Sequence, residues 1–264
     1  MRTMLPLLWL LLVAPLPVLL RGQGTSTLVD RIPAPPGASR VSVANESFAA
    51  YLRHLPLKPA GTAVQLFDGR LKARQDVHVA VIDLSVGARD LQQCADAVMR
   101  LRAEHLFATG QHSAIRFHFT NGFLASWERW RAGERIRVTG NEARWVAGGA
   151  RDSSHDALLA YLTTVFSYAG TRSLQAELLP AGDAPLRAGD VFIQGGSPGH
   201  AVIVLDVART VDGRSYFLLA QSYMPAQDIH VLKGPVAGAW FEQRSDGELR
   251  TPEWSFAWSD RRVW

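Results

Sequence analysis

The chain has 264 residues, 47% of them hydrophobic, with 28 basic against 24 acidic side chains for a net charge of +4, enough for a full buried core. Its arginines are interspersed with aspartates and glutamates, so no basic face is implied, and with no nucleic-acid-binding motif a nucleic-acid partner is not expected. The one cysteine, Cys94, excludes an internal disulfide and leaves stability to the core.

The start, MRTMLPLLWLLLVAPLPVLLRGQGTST, places Arg2 before an apolar run from Met4 to Leu20, with no acidic residue before Asp30. This is the pattern of a secretory signal over residues 1–24. Pro15 and Pro17 interrupt the run and disfavour a spanning helix, yet the small-residue cleavage site is missing, so retention as an N-terminal anchor stays open. The expected location is outside the cytoplasm: periplasmic, or anchored on the outer side of the inner membrane, with the membrane touched only through this segment. Residues 25–62 read as a proline-rich lead-in with a short helix near Glu46 to His54 capped by Asn45, and residues 63–264 as a single domain.

Within that domain, TAVQLFDGRLKA predicts a hairpin across Asp68 and Gly69, and DVHVAVIDLSVG a strand. RDLQQCADAVMRLRAEHLFATG predicts a helix with Asp90 as N-cap, Gln93 completing a capping box and Gly110 at the far end. Leu91, Cys94, Val98, Leu101 and His105 then share its apolar face. AIRFHFTNGFLASW and RIRVTGNEARWV carry turns at Asn121-Gly122 and Gly140-Asn141. DSSHDALLAYLTTVFSYAGTRSLQAELL predicts a helix capped by Ser153 or Ser154, a break at Gly170 and a second helix capped by Thr171. From Gly189 the period becomes two, and DVFIQ, HAVIVLDVA and SYFLLAQSYM form an antiparallel meander with a turn at Asp212-Gly213. The turn-rich, aromatic remainder is expected to wrap over the sheet. Helices before a meander indicate an α+β fold, helices packed on an antiparallel sheet.

A thiol becomes a good nucleophile when a helix N-terminus and an imidazole lower its pKa. Cys94 has the first by position, and His200, heading a strand after the GGSPG loop, is the best placed of eight histidines to supply the second. Gly199 would let a substrate backbone approach, Ser197 would line the same loop, and the N–H of Cys94 with the amide of Gln92 or Gln93 would hold an oxyanion. Gln221 could orient the imidazole. An ideal two-residue turn leaves it four residues along the ladder, roughly 13 Å away, so a bulge is needed, and Ser222 and Tyr223 compete for the role. Plainer readings stand beside these: Cys94 as a small core hydrophobe, His200 as a strand-start residue bonding its loop. The histidines show no ligand spacing, so no metal is expected; GGSPG lacks the lysine and helix of a phosphate loop, so no cofactor is either. Asp190 and Asp206 read as turn and edge residues. Trp127 with Trp130, and Trp254 with Trp258, read as packing pairs or as platforms for sugar rings.

Cysteine at a helix start, histidine heading a strand and a polar residue on the next strand is the chain order of papain-like hydrolases, and GDVFIQGGSPGHAVIVLDVA resembles the histidine segment of their cell-wall-directed bacterial branch. QQCADA departs from the Asp-Cys-Ser-Gly usual there. Along most of the chain from Asp90 to Leu232, DLQQCADAVMRLRAEHL, FTNGF, YAGTRSLQAEL and LLAQSYMPAQDIHVL resemble an uncharacterised bacterial family, domain of unknown function 4846, which brings no activity with it. Two expectations follow: a thiol hydrolase of papain-like architecture acting on an amide bond in the cell envelope, with Cys94 as nucleophile, His200 as base and Gln221 as orienter; or a non-catalytic envelope protein that binds cell-wall glycan or peptide.

Overall fold

The computed structural model describes residues 26–244 and 247–264, so the expected leader lies outside the described residues. The lead-in contributes α1 (Leu28–Arg31), β1 (Ala38–Arg40) and α2 (Phe48–Arg53); β2 (His78–Val81) and the long α3 (Cys94–Ala108) follow. Two hairpins, β3 (Arg116–His118) with β4 (Leu124–Ser126) and β5 (Glu134–Thr139) with β6 (Glu142–Ala147), are separated by α4 (Trp127–Arg131). Then come α5 (His155–Tyr168), α6 (Thr171–Glu177), β7 (Leu179–Pro180), β8 (Val191–Gln194), β9 (His200–Thr210) and β10 (Ser215–Gln221). The C-terminal part adds β11 (His230–Leu232), β12 (Phe241–Glu242), β13 (Glu248–Arg250), β14 (Ser255–Ala257) and β15 (Arg261–Val263).

Nine strands form one open antiparallel sheet in the order β2-β11-β10-β9-β8-β15-β7, with β1 added along β9 and β12 along β10. The fold is α+β, and the β8-β9-β10 meander is its centre. The tail does more than wrap: β15 inserts between β8 and β7, and β11 joins β10 to β2. One face of the sheet packs Ala201, Ile203, Leu205, Leu218 and Ala220 against α3 and the other helices. The opposite face, with Val202, Val204, Phe192 and Phe217, is covered by Leu249 and Phe256 of the β13-β14 hairpin. Trp127 and Trp130 are core residues. Among the described residues no helix is long and apolar enough to cross a membrane.

Several local starts differ from expectation. The α2 cap is Ser47, whose Oγ accepts the Ala50 N–H at 3.1 Å, in place of Asn45. Gly170, not Thr171, is the N-cap of α6. Helix α3 begins only at Cys94, with Gln93 as N-cap and Asp96 Oδ2 accepting the Gln93 N–H at 3.0 Å. Asp90 is outside the helix, where Oδ1 accepts from Ala226 N at 2.7 Å and Gln93 Nε2 at 3.0 Å. Nor is α3 a surface helix with one apolar stripe: Asp96, Arg100, Glu104 and His105 are buried along with its hydrophobes.

Register along β9 and β10 sets the site. The connection is a three-residue loop, Val211 to Gly213, with Gly213 at φ +91° and Gly213 N–H donating to Thr210 O at 3.1 Å. Farther on, Leu218 faces Asp206 but Leu219 faces Val204, leaving Leu205 unpaired as a bulge. Beyond it Ala220 lies opposite Ile203, and continuing that register brings Gln221 beside Val202. Asp206, read from the sequence as a turn or edge residue, lies just past the bulge in the buried part of the strand. Asp206, fully buried, takes Arg40 Nε at 2.6 Å and Arg53 Nη2 of α2 at 2.6 Å. Because Asp206→Ala leaves two mostly buried guanidinium groups without their anion, it should lower unfolding free energy by about 3–5 kcal/mol in urea titrations, against well under half that if the pair is solvated.

Candidate active site

Cys94 is the first residue of α3, where the N–H groups of the opening turn have no acceptor within the helix. His200 is the first residue of β9, and the turn of chain before it is held by α6: Gln175 Oε1 accepts Gly195 N–H at 2.6 Å and Thr171 Oγ1 accepts Gly196 N–H at 3.3 Å. These elements wall a cavity of about 530 Å³ into which Cys94 and His200 both face, together with Gly199, Ser197, Tyr223 and Trp254. The backbone N–H of Ala201, next to His200, lies against the Cys94 sulfur, as do those of Cys94 and Ala95. The sequence-expected thiol and imidazole therefore share one site.

Gln221 joins them. Its Oε1 lies 2.8 Å from His200 Nε2, in the buried layer beneath the cavity. The next residue, Ser222, points elsewhere: its hydroxyl bridges to Gln92 O at 2.9 Å and Gln227 O at 2.8 Å, fastening the strand end to the segment that leads into α3. The Tyr223 ring lies tilted with its centroid 4.9 Å from that of the imidazole, Trp254 likewise at 5.3 Å, and Phe256 stacks at 6.0 Å. Two residues without any signal in the sequence, Glu253 and Lys72, complete the layer. Glu253, in the turn before β14, accepts from Gln221 Nε2 at 2.7 Å and from Lys72 Nζ at 2.8 Å, and the Lys72 ammonium sits 4.9 Å from the Tyr223 ring centroid. Glu253 sits in an aromatic tail and Lys72 in a hairpin, each far from Gln221 along the chain, so no local spacing marks them.

The two glutamines expected to offer an amide to an oxyanion do not both reach the site, and the Gln92 Nε2 has no hydrogen-bond partner among the described residues. Gln92 does not reach the cavity; its Oε1 accepts from Arg100 Nη1 at 2.9 Å, and Arg100 in turn donates to Glu104 at 2.7 Å. Gln93 lines the cavity but its Nε2 donates to Asp90. Gly199 is needed for a different reason from substrate approach: a Cβ there would stand 2.6 Å from Thr171 Oγ1 and 2.8 Å from Gln194 O, so the loop's own packing excludes a side chain. Oxyanion donors are left to the backbone at the start of α3.

Burial dominates the electrostatics. It drives the Cys94 thiol up to about 11, with the Asp96 carboxyl adding to the rise and the N–H groups around the sulfur only partly offsetting it. Asp96 itself is held well above the usual carboxylate range by burial, and its Oδ1 has no hydrogen-bond partner among the described residues. Burial pushes His200 down to about 4 against the pull of Gln221 and Glu253, and the fully enclosed His230 down to about 3. The expected thiolate is therefore not the resting form: thiol and imidazole are both neutral. Among the described residues no group of three histidine, cysteine or carboxylate side chains is arranged to hold a metal ion.

A sequence model described as a domain of unknown function (4846) matches residues 28–262. The chain belongs to that family. No curated protein and no solved structure matches it significantly. In this member of the family, Cys94, His200, Gln221, Tyr223 and Glu253 all fall within the matched span.

Two outcomes follow from the electrostatics. Thiolate absorbance in the ultraviolet, taken as wild type minus Cys94→Ser, should be absent at neutral pH and appear only as the pH approaches about 11; a band at neutral pH contradicts the buried thiol. His200 and His230 titrate lower folded than unfolded, so the unfolded chain binds more protons between about 6.5 and 4. Stability is thus present above that window and is lost as the pH falls through it, with a slope approaching about 1.4 kcal/mol per pH unit for each histidine. Urea unfolding at a series of pH values reads the slope, and a flat profile would contradict it.

Proposed function

We propose that this protein is a thiol hydrolase that cleaves an amide bond through an acyl-enzyme on Cys94, with His200 moving the proton. The observation that carries the reading is the meeting, in one cavity, of the chain's single thiol at a helix start and an imidazole whose far nitrogen is already held. With Nε2 taken by Gln221, Nδ1 is the nitrogen left for the thiol. Because both groups rest neutral, the proton moves only as the bond forms. Sγ adds to the carbonyl carbon while its proton passes to Nδ1; the carbonyl oxygen takes the negative charge among the first-turn N–H groups of α3. The intermediate collapses with the amine leaving, the imidazolium supplies the amine's proton, and a thioester remains. Water, giving a proton to Nδ1, then attacks the thioester, and its collapse returns the acid and the thiol.

The rings of Tyr223 and Trp254 at the cavity wall fit a peptide or sugar-linked peptide, and the leader-like residues 1–24 favour an exported protein working on the cell envelope, periplasmic or anchored outside the inner membrane. The second reading, an envelope protein that binds glycan or peptide without cleaving it, draws on the same rings.

p-Nitrophenyl acetate distinguishes them. One acetyl group should be found on Cys94 by mass spectrometry with a burst of p-nitrophenolate, and His200→Ala should slow the acylation by about 10²–10⁴. Release equally fast from Cys94→Ser would remove the hydrolase reading and leave the binding one.

A further inference from the structure

Gln221 presents its carbonyl oxygen to His200, but an amide side chain of the same shape can present either end, and the two ends demand opposite imidazole tautomers. What fixes the end is on the far side of the amide. Glu253 faces it at 2.7 Å and is itself paired with the Lys72 ammonium at 2.8 Å, both side chains 8% exposed. A carboxylate paired with an ammonium only accepts, so the group it meets must be the NH₂ of Gln221. His230 favours the same orientation through a longer contact that does not hold it alone. Its Nδ1 lies 2.9 Å from Asp228 O, a carbonyl that only accepts, so Nδ1 carries the hydrogen and Nε2 keeps a lone pair. That lone pair is 3.4 Å from Gln221 Nε2 and takes the second amide hydrogen. With both hydrogens committed, Oε1 faces His200, and a carbonyl 2.8 Å from Nε2 requires Nε2 to be the protonated nitrogen.

We propose that Glu253, held by Lys72 and assisted by His230, is a positioning residue that fixes the amide of Gln221 and thereby keeps the His200 lone pair on Nδ1, the nitrogen the thiol needs. The residue acts through Gln221 and touches neither reacting group. The reverse orientation would place Oε1 of Gln221 2.7 Å from a carboxylate oxygen, a buried contact between two acceptors. The proposal deepens the hydrolase reading and its catalytic consequence rests on that reading, but the tautomer itself does not.

Nitrogen NMR of the His200 ring in the full-length protein tests it, because protonated and lone-pair nitrogens are well separated in shift. Wild type should show Nε2 protonated and Nδ1 bare near neutral pH. In Glu253→Gln, Lys72 can only donate and so takes the new amide oxygen; the new NH₂ turns to Gln221, which rotates and presents its own NH₂ to His200. The lone pair should then move to Nε2, and acylation of Cys94 should fall about 10²–10⁴-fold with KM little changed. Adding Lys72→Met to Glu253→Gln removes the donor that forces the rotation and should restore part of the original tautomer. A wild-type ring protonated on Nδ1 overturns the proposal even if every variant misfolds, as does a folded Glu253→Gln with the ring unchanged. A tautomer switch without any Cys94 acylation in wild type would sustain the positioning role and refute the hydrolase instead.

Discussion

Strand β9 is buried on both faces from His200 to Ala208, so every polar group it carries must find its partner inside the protein. Two side chains of that buried stretch are ionisable, His200 and Asp206, and the structure around each is organised to answer it. Asp206 draws Arg40 from β1 and Arg53 from α2 onto the strand, which is how the proline-rich lead-in is tied to the meander that begins more than a hundred residues later. His200 draws Gln221 from β10, and Gln221 draws Glu253 and, through it, Lys72. The bulge at Leu205 serves both, since it turns Asp206 toward the helices and moves Gln221 back along the ladder toward His200.

The same dryness sets the chemistry open to the site. A helix N-terminus favours a thiolate by a modest amount, usually about 0.3–1 kcal/mol near a surface. Removing a charged sulfur from water costs more than that, and here burial outweighs the N–H groups around it. The imidazole suffers the same penalty in the opposite sense. A pair that rests neutral holds no charge to be screened or quenched. It acquires charge only when an acyl carbon offers the sulfur a bond and the opening turn of α3 offers the oxygen its hydrogen bonds. In such a site the direction of the His200 lone pair matters more than its basicity, which places unusual weight on the residues that hold the tautomer.

Much of this was legible in the sequence, and the limits have physical causes. Cys94 at the head of a helix and His200 at the head of a strand follow from local period and punctuation, as does the meander. Aspartate caps helices well, which makes Asp90 the expected start of α3, but Asp90 is engaged across the fold by Ala226 N and leaves Gln93 and Asp96 to cap. The need for a bulge to bring Gln221 to His200 could be stated from turn geometry, whereas its position at Leu205 depends on the packing of both sheet faces. Glu253 and Lys72 carried no signal, since a glutamate between proline and tryptophan in a turn looks solvated until the sheet closes over it.

The turn that carries Glu253 shows why the site is so dispersed. It is closed locally by Thr251, whose N–H donates to Trp254 O at 2.8 Å and whose Oγ1 accepts the Trp254 N–H at 3.0 Å. It is anchored to the sheet by Trp254 Nε1 donating to Gln194 Oε1 at 3.0 Å, and Gln194 is the residue paired across the ladder with His200. Gln194 is fixed from its other end by Asp260 at 2.7 Å, just before β15 enters the sheet beside β8. One docking event of the C-terminal segment thus lays an aromatic ring against the imidazole, delivers the carboxylate that orients Gln221 and completes the sheet edge. Contacts of such long sequence separation form only after their loops have closed. The polarity of the thiol-imidazole pair is therefore set only with the C-terminal segment in place, since Glu253 reaches Gln221 from it.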